Sequence, residues 1–340
     1  MKITAVLCVK NEGAFLLEWL AHHRACGITD FLVYSNDCTD GTDAMLDRLA
    51  ALGWLTHVPN PGPHPRGPQW AALKAADRHP LVRGADWLIT FDIDEFINIH
   101  AGARKVADLL AALPEATAIA LSWRLFGNAG VVRYEDAPVT QSFTRAAPKR
   151  LPWPWRAAMF KTLYRNDGSY GRLGVHRPRD PDPARMAEQR WFDGSGRRLP
   201  DVFRTERLFL DPGRDNCRLV QMNHYALGSI EGFLVKADRG NAFPDGPALD
   251  MDYWVERNFD QEEDRSILAL DSGDLFAGLM ADPVLGALHR GAVAWRNQRF
   301  AALMREDRWR GLYGRLLMTP SSRTLSKAEA ESIWKPYLGR

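Results

Sequence analysis

The chain has 340 residues, of which 46% are hydrophobic and 25% are charged, a composition typical of a globular protein with one large domain or two smaller ones. A formal net charge of +2 gives the whole chain no electrostatic reason to bind nucleic acid. Four cysteines without a Cys-x-x-Cys pair argue against a zinc site and a disulfide framework. The N-terminus lacks the pattern of a secretory signal, and no apolar run reaches the roughly 18 residues that span a bilayer. We therefore expect a cytoplasmic protein.

Strand and helix patterns alternate along the first part of the chain. Compact apolar runs predict strands at 3–9, 31–34, 54–58 and 118–123, and a further strand that begins at Trp87. Apolar residues at helical spacing predict helices at 12–25, 42–52 and 69–77. Such alternation is typical of an α/β protein, so we expect a mixed, mostly parallel sheet with helices on both faces.

The pattern changes beyond about residue 126, where Gly, Pro and Arg become dense and helical periodicity stays weak until Ser229. The last 60 or so residues become helical and basic. We therefore divide the chain into residues 1–125 and 126–280, two halves of one domain, and a C-terminal helical extension at 281–340.

The extension mixes aromatic and basic side chains. Such side chains either pack against the rest of the protein, which we favour, or lie on an anionic membrane surface as a peripheral contact. They are Trp295, Arg296, Arg299, Phe300, Arg305, Trp309, Arg310, Tyr313 and Arg315.

Two carboxylates follow the strand that begins at Trp87. Asp92 and Asp94 stand one residue apart in the sequence Phe-Asp-Ile-Asp-Glu-Phe. Mg²⁺ and Mn²⁺ prefer carboxylate oxygens and usually keep positions for water and substrate phosphates, so two such side chains suffice as the protein's share. Ligands of open α/β sheets also bind in the crevice beyond the strand ends. The motif predicts a divalent cation that holds a phosphate; a solvated acidic turn is the alternative.

Polar side chains also follow the first two predicted strands. Asn11 and Glu12 come after the first strand, and Asn36 and Asp37 come after the second. At one edge of a parallel sheet these groups could bind a base and a ribose, whereas helix capping is the alternative that needs no ligand. Neither stretch has the glycine spacing of a dinucleotide-binding or P-loop protein, so those classes are disfavoured.

Together the motifs resemble a known family. Lys-Asn-Glu at 10–12, the polar stretch at 35–42 and the acidic motif at 91–96 are similar, in this order, to those of family 2 type glycosyltransferases of the GT-A fold. The similarity is greatest to the branch related to glycosyltransferase family 92. Later segments that extend it lie at 122–127, 174–178 and 223–225. The resemblance implies that residues 1–125 bind a nucleotide sugar and that residues 126–280 form the acceptor side.

This resemblance implies transfer of a sugar from a nucleotide donor, commonly a UDP-sugar, to a hydroxyl of a carbohydrate or glycolipid acceptor, with Mn²⁺ or Mg²⁺. By position, Asp92 and Asp94 match the metal–diphosphate motif of the family. The common family 2 pattern has two aspartates where this chain has Ser35 and Asn36, which favours the family 92 branch. The residues at the uridine and ribose positions are Asn11, Glu12, Asn36 and Asp37.

Side chains from other predicted elements are further candidates. Lys236 and Arg239 are three residues apart on a predicted helix and share a face, so both could meet the diphosphate. Gln69, on the third predicted helix, is a candidate for the nucleotide. Proteins of this fold often complete the metal shell with a histidine from the second half of the chain. His224 is our choice for that ligand, and His176 is the alternative.

An inverting transfer would need a base for the acceptor proton. Asp136, with Glu135 beside it, follows soon after residues 126–127 and is our choice, while Glu95 and Glu206 are alternatives.

Two other functions stay open. A strand followed by Asp-x-Asp also begins haloacid-dehalogenase type phosphatases, with Asp92 as the nucleophile; Glu95 stands where those proteins have Thr or Val, which argues against this class. A carbohydrate-binding or scaffold protein that has kept the fold is the non-enzymatic alternative.

Overall fold

The computed structural model describes residues 1–240 and 249–338. Its strands, numbered in chain order, are β1 Ile3–Val9, β2 Asp30–Ser35, β3 Thr56–Pro59, β4 Trp87–Phe91, β5 Glu95–Ile99, β6 Ala118–Leu125, β7 Arg145–Ala146, β8 Phe160–Arg165, β9 Tyr170–Arg172, β10 Arg179–Pro181, β11 Trp191–Asp193, β12 Val220–His224 and β13 Glu262–Glu263. Its α-helices are α1 Gly13–Ala25, α2 Thr42–Ala51, α3 Pro68–Ala76, α4 Pro80–Arg83, α5 Val106–Ala112, α6 Val139–Ser142, α7 Ile230–Arg239, α8 Met251–Val255, α9 Gly273–Ala281, α10 Pro283–Leu303, α11 Asp307–Met318 and α12 Lys327–Leu338.

A nine-stranded mixed sheet forms the centre of the protein. Its strand order is β3-β2-β1-β4-β8-β6-β12-β5, and β11 pairs with β6 beside β12. Strands β8 and β5 run antiparallel to their neighbours, while the other pairings are parallel. The carboxyl ends of β1, β2, β4, β6 and β12 consequently meet at one edge of the sheet. The predicted α/β class, with a mixed and mostly parallel sheet, is confirmed.

Both faces of the sheet are covered because successive side chains of a strand point to opposite faces. In β1, Ala5 and Leu7 join an apolar cluster with α1, α2 and α5, whereas Val6 joins a second cluster with α3. In β4, Ile89 joins the first of these clusters and Leu88 joins the second. These strands therefore lie between two apolar layers, as the near-continuous apolar runs predict.

The C-terminal helices pack on this core. Helix α10 contacts α1, α2, α7 and α9, and two ion pairs fix it at its ends. Arg48 Nη2 lies 2.5 Å from Asp282 Oδ2, and Arg299 Nε lies 2.6 Å from Asp238 Oδ2. Among the residues that the structure describes, no helix combines the length and apolar character needed to cross a membrane.

The second half of the chain completes the sheet begun by the first. Strands β8 and β12, from residues 126–280, insert between strands of residues 1–125. The sequence patterns do not predict these two strands, nor β5, which begins one residue after Asp94. The predicted third strand at 54–58 lies instead at Thr56–Pro59, because Gly53 ends the preceding turn with a positive φ of 76°.

Candidate active site

A cavity of 570 Å³, the first cavity, opens at the edge where the parallel strands end. Loops after β1, β2 and β4 form one side of it, and the end of β12 with helix α7 forms another. Nine of the predicted site residues line it: Glu12, Asn36, Asp37, Gln69, Asp92, Asp94, His224, Lys236 and Arg239. The sheet topology thus brings together residues that are up to 227 positions apart.

The acidic motif forms a tight turn between β4 and β5. Glu95 closes this turn, since its backbone N–H donates to the carbonyl oxygen of Asp92 and its Oε2 accepts from the Asp92 N–H at 2.9 Å. Oε1 of the same carboxylate accepts from the indole N–H of Trp123 at 2.7 Å. Glu95 is fully buried, and burial raises the pKa of its carboxyl group to about 8. This group orients the turn and does not face a ligand. Sequence reasoning treated it only as an alternative base.

Asp92 is held by two side chains from other elements. Lys161 Nζ, on β8, lies 2.8 Å from Oδ2, and Gln69 Nε2 donates to Oδ1 at 3.0 Å. Lys161 is completely buried, and it also lies 3.4 Å from Oε2 of Glu95. Burial acts to lower the pKa of this ammonium group, but Asp92 and Glu95 outweigh it and raise the pKa. Lys161 is therefore charged, and the sequence patterns gave no reason to select it.

Asp94 is held by residues of the second half of the chain. Lys236 Nζ donates to its Oδ2 at 2.6 Å and to the carbonyl oxygen of Ala226 at 2.6 Å. His224 Nε2 lies 3.7 Å from the same oxygen. Burial acts to raise the pKa of Asp94, but Lys236 and His224 outweigh it and hold the pKa well below its usual range. Asp94 is therefore an anion beside a cation, in the wall of the cavity.

The loops after β1 and β2 use their amides to fix each other. Asn11 has a positive φ of 53° and accepts from the Thr39 N–H at 2.7 Å, so its side chain joins the two loops. Asn36 Nδ2 donates to the carbonyl oxygen of Val9 at 2.9 Å. Asp37, with a φ of 45°, accepts from the Gly62 N–H at 3.1 Å. Of the predicted nucleotide residues, Asn11 lines a neighbouring cavity instead of the first one.

Arg239 connects the end of α7 to the loop after β1. Its Nη1 donates to Glu12 Oε1 and, at 2.8 Å, to the carbonyl oxygen of Lys10. Burial lowers the pKa of this guanidinium to about 10, and it stays charged at neutral pH. Lys236 and Arg239 thus lie on one face of α7 with both groups turned to the cavity, as their spacing predicts.

Asp136 is not brought to the first cavity. Its Oδ1 lies 2.8 Å from Nε2 of His289 on α10, and among the described residues the linings of both large cavities omit it. Its neighbour Glu135 lines the second cavity, described below, and Glu206 lines neither. The choice of Asp136 as the base has no support from this geometry, because its carboxylate turns to α10 and not to a ligand pocket.

The two aspartates fit a divalent cation better than the histidine does. Mg²⁺ is commonly held by one or two carboxylates and completes its shell with water and phosphate oxygens. Asp92 and Asp94 supply two carboxylates, and a cation on Asp92 would replace the bond of Gln69 or of Lys161 to its oxygens. A metal-bound histidine usually donates its second ring N–H to an acceptor, but Nδ1 of His224 is buried and lacks a partner among the described residues. Within residues 1–240 and 249–338, no three acidic, histidine or cysteine side chains converge as a ready-made metal site.

Several lining residues are missed by the sequence patterns. Tyr253 and Arg257 come from α8 and the turn after it, and the ring of Tyr253 faces the ammonium of Lys236 at 5.7 Å. His176, the alternative metal ligand, lines the cavity too, with its ring 5.5 Å from that of Trp123. Burial lowers the pKa of His176, so its imidazole is neutral.

Comparison with known proteins identifies the family. The model of glycosyltransferase family 92 matches residues 4–184, more than half of the chain. The chain belongs to glycosyltransferase family 92. This confirms the family 92 branch of the resemblance, while the broader family 2 assignment stays a prediction. The matched segment contains Asp92 and Asp94 but ends before His224, Lys236 and Arg239.

Plant proteins of the family are distant relatives. A family 92 protein of Ricinus communis is 24% identical over 144 residues, which are 40% of this chain and 25% of that protein. One from Oryza sativa is 25% identical over 151 residues, which are 42% of this chain and 24% of that protein. The chain thus spans about a quarter of the length of the curated relatives it matches.

Solved structures show only a weak likeness. Residues 1–349 of TarS from S. aureus, crystallised with UDP, are 17% identical, with a TM-score of 0.30 over 48% of this chain and 47% of that one. The same protein crystallised alone is 11% identical, with a TM-score of 0.32 over 70% of this chain and 65% of that one. These scores are too low to support an inference about this chain.

Proposed function

We propose that the chain transfers a sugar from a nucleoside-diphosphate sugar, with UDP as the nucleotide, to a hydroxyl of a carbohydrate or glycolipid. The observation that carries this proposal is the pairing of two carboxylates at the strand ends with two lysines, of which Lys161 is completely buried and Lys236 is 18% exposed. Asp92 with Lys161 and Asp94 with Lys236 form a charged floor under a cavity of 570 Å³. Membership of glycosyltransferase family 92 supports sugar transfer, and the resemblance of the motifs supports UDP.

The reaction makes demands that these residues can meet. The bond between the anomeric carbon and the diphosphate breaks as the acceptor oxygen forms its bond to that carbon. The diphosphate leaves with the electron pair, and the acceptor proton passes to a base or to water. Lys236 and Arg239 can stabilise the leaving diphosphate, because both cations line the cavity beside Asp94. A Mn²⁺ or Mg²⁺ ion held by Asp92 and Asp94 would supply further stabilisation of that charge when bound.

The two alternative functions have less support. A haloacid-dehalogenase type phosphatase needs a carboxylate oxygen of Asp92 for attack, yet Gln69 and Lys161 each bond one of its oxygens. A carbohydrate-binding scaffold would not need two lysines paired with two aspartates. Phosphate release from a generic phosphate ester would favour the phosphatase over the transferase.

Donor binding tests the proposal. We expect UDP and UDP-sugars to raise the melting temperature of the protein, more so with Mn²⁺, because a ligand that binds only the folded state stabilises it. We expect Asp94→Asn to reduce this shift and to abolish hydrolysis of, or transfer from, the UDP-sugar. Asp307→Asn is the matched control, because that carboxylate is 95% exposed on α11 and does not line the cavity.

Two results would reject the proposal. One is a melting temperature unchanged by every nucleotide sugar, in both the presence and the absence of Mn²⁺. The other is full transfer by a folded Asp92→Asn, Asp94→Asn double variant, since the charge arrangement at the strand ends would then be irrelevant to the reaction.

A cytoplasmic location and a peripheral membrane contact also remain proposals. Of the aromatic and basic side chains of the C-terminal helices, Trp309 and Arg296 are buried, and Arg299 pairs with Asp238. Exposed arginines such as Arg305 and Arg315 are left to meet an anionic surface. Salt-sensitive flotation of the protein with anionic vesicles would support the contact, and absence of flotation at low salt would reject it.

A further inference from the structure

A second cavity, of 350 Å³, lies against the first. It is bounded by the start of α1, the segment 131–143, helix α7 and the middle of α10. Within the described part of the chain, five residues line both cavities: Glu12, Ile93, Asp94, Lys236 and Arg239. Its volume falls in the usual range for small-molecule sites, about 300–1,000 Å³. The two cavities therefore share the wall formed by the Asp94–Lys236 pair.

The second cavity contains a buried guanidinium that has no anionic partner among the residues that the structure describes. Arg296, on α10, is 5% exposed, and among the described residues its one hydrogen bond runs from Nη2 to the carbonyl oxygen of Gly232 at 3.2 Å. Its Nε is buried without an acceptor. The carboxylate of Asp40 attracts the guanidinium of Arg296 electrostatically without a hydrogen bond to it. That carboxylate instead accepts from the N–H groups of Gly13 and Thr42.

An unpaired buried charge is costly unless something compensates it. Aromatic rings provide part of the compensation, since the guanidinium of Arg296 lies 4.6 Å from the ring centroid of Phe15 and 5.0 Å from that of Tyr134. Ring contacts leave Nε of Arg296 without an acceptor among the described residues, however. An anionic group in the cavity would supply both the missing charge and the missing acceptor.

The remaining wall is suited to a ring-shaped ligand with few polar contacts. Tyr134, Phe143 and Trp295 line the cavity together with Phe15, so flat apolar surfaces form part of its wall. The guanidinium that would bind an anion and the rings that would contact a sugar thus line the same cavity. Its position beyond Asp94 and Lys236 is next to the place where the proposed diphosphate would leave.

We propose that the second cavity binds the acceptor, and that this acceptor is a sugar carrying a carboxylate or a phosphate, which pairs with Arg296. The acceptor role rests on the proposed glycosyl transfer, whereas the anionic group follows from Arg296 itself. The rings of Phe143 and Trp295, which also line the cavity, then pack on the faces of the sugar. Arg296 is a specificity residue in this arrangement, because it selects an anionic sugar over a neutral one.

Binding of three sugars to the full chain without any donor tests the proposal. We would titrate glucuronate, glucose 6-phosphate and glucose, and follow each dissociation constant by ligand-observed NMR. We expect at least one anionic sugar to bind roughly tenfold or more tightly than glucose, as charge-assisted hydrogen bonds imply. Comparison of the two anions distinguishes a carboxylate from a phosphate.

Variants assign the preference to the cavity. Arg296→Gln should reduce the preference to less than about twofold, while Arg290→Gln, an exposed arginine on the same helix, should keep it. Because loss of a buried arginine can affect folding, Ala137→Trp provides a second route: this exposed residue lines the cavity, so a larger side chain should block all three sugars. Equal binding of charged and neutral sugars, or a preference that survives in both folded variants, would overturn the proposal.

The two proposals can fail separately. Sugar binding with the expected preference, combined with no response to any nucleotide sugar, would reject glycosyl transfer but keep the anion site. Donor binding and transfer to neutral sugars alone would reject the anion site but keep the proposed function.

Discussion

Lys161 carries a positive charge into a completely buried position, between the carboxylates of Asp92 and Glu95. Its Nζ also donates to the carbonyl oxygen of Val175 at 3.0 Å, so the ammonium group has three acceptors. Removing one partner of a buried ion pair is costly because the other charges remain without compensation. This residue therefore determines whether the turn that carries Asp92 and Asp94 is stable.

We predict that Lys161→Gln lowers the free energy of unfolding by about 3 kcal/mol or more. Glutamine can donate a hydrogen bond to one acceptor but cannot neutralise the carboxylate of Asp92. Urea unfolding followed by fluorescence measures the change, and Lys74→Gln on the exposed side of α3 is the control, expected to change it by less than about 0.5 kcal/mol. A Lys161→Gln protein as stable as the control variant would contradict the prediction.

At the level of residues, sequence reasoning finds the acids more readily than their partners. Asp92 and Asp94 are recognisable because two carboxylates follow a strand within three residues. Lys161 lies 69 positions after Asp92, on a strand whose own pattern gives no sign of a buried charge. Its role depends on β8 lying next to β4, which is a property of the sheet order and not of local sequence.

The packing of α1 on β5 depends on two neutral histidines. His23 Nδ1 donates to the carbonyl oxygen of Trp19 at 2.8 Å, and its Nε2 accepts from the Ile97 N–H at 3.2 Å. His22 Nε2 donates to the carbonyl oxygen of the same Ile97 at 2.7 Å. A proton on Nε2 of His23 would break its bond to Ile97, so the fold requires the neutral ring. Burial lowers the pKa of His22 to about 4 and that of His23 well below its usual value.

These depressed pKa values predict loss of stability in acid. Both histidines take up protons more readily in the unfolded chain, so their contribution is complete above about pH 6.5 and falls as the pH drops toward 4. For His22 alone the change is about 3 kcal/mol, at roughly 1.4 kcal/mol per pKa unit. Unfolding free energies measured from pH 7 to 4 check this. His22→Gln, which keeps a donor for Ile97, should flatten the profile, and an equally steep profile would contradict the prediction.

At the level of elements, the strands that sequence reasoning misses are those with polar interiors. Strand β12 reads Val-Gln-Met-Asn-His, and all five side chains are buried. Gln221 and Asn223 bond to each other at 2.7 Å, and Asn223 donates to the Tyr225 hydroxyl at 3.0 Å. This hydrogen-bond network makes burial of the amides acceptable, but it removes the apolar run that marks β1 or β4. The sequence predicts β1, β2 and β4 because their apolar patterns carry no such interruption.

For the whole molecule, the C-terminal helices connect the site to a separate apolar cluster. Phe233 and Leu234 of α7 pack with Leu303 of α10 and with Leu312 and Leu316 of α11. The opposite face of α7 carries Lys236 and Arg239 into the first cavity. The predicted extension at 281–340 therefore supports the helix that presents the cations, and its basic composition alone could not reveal this contact.

The cluster leads to a prediction about cooperativity. Leu303 is completely buried, whereas Leu317 is 47% exposed on α11, so the two leucines form a matched pair. We predict that Leu303→Ala lowers the free energy of unfolding by about 2–5 kcal/mol, through lost burial and the cavity it leaves, and that Leu317→Ala changes it by less than about 1 kcal/mol. Because α7 belongs to the cluster and to the site, fluorescence and circular dichroism should give coincident urea transitions in both variants. The contrary result has two parts: the C-terminal helices of Leu303→Ala unfold first, and UDP still raises the melting temperature. That result would show that α7 holds its cations in position without the support of α10 and α11.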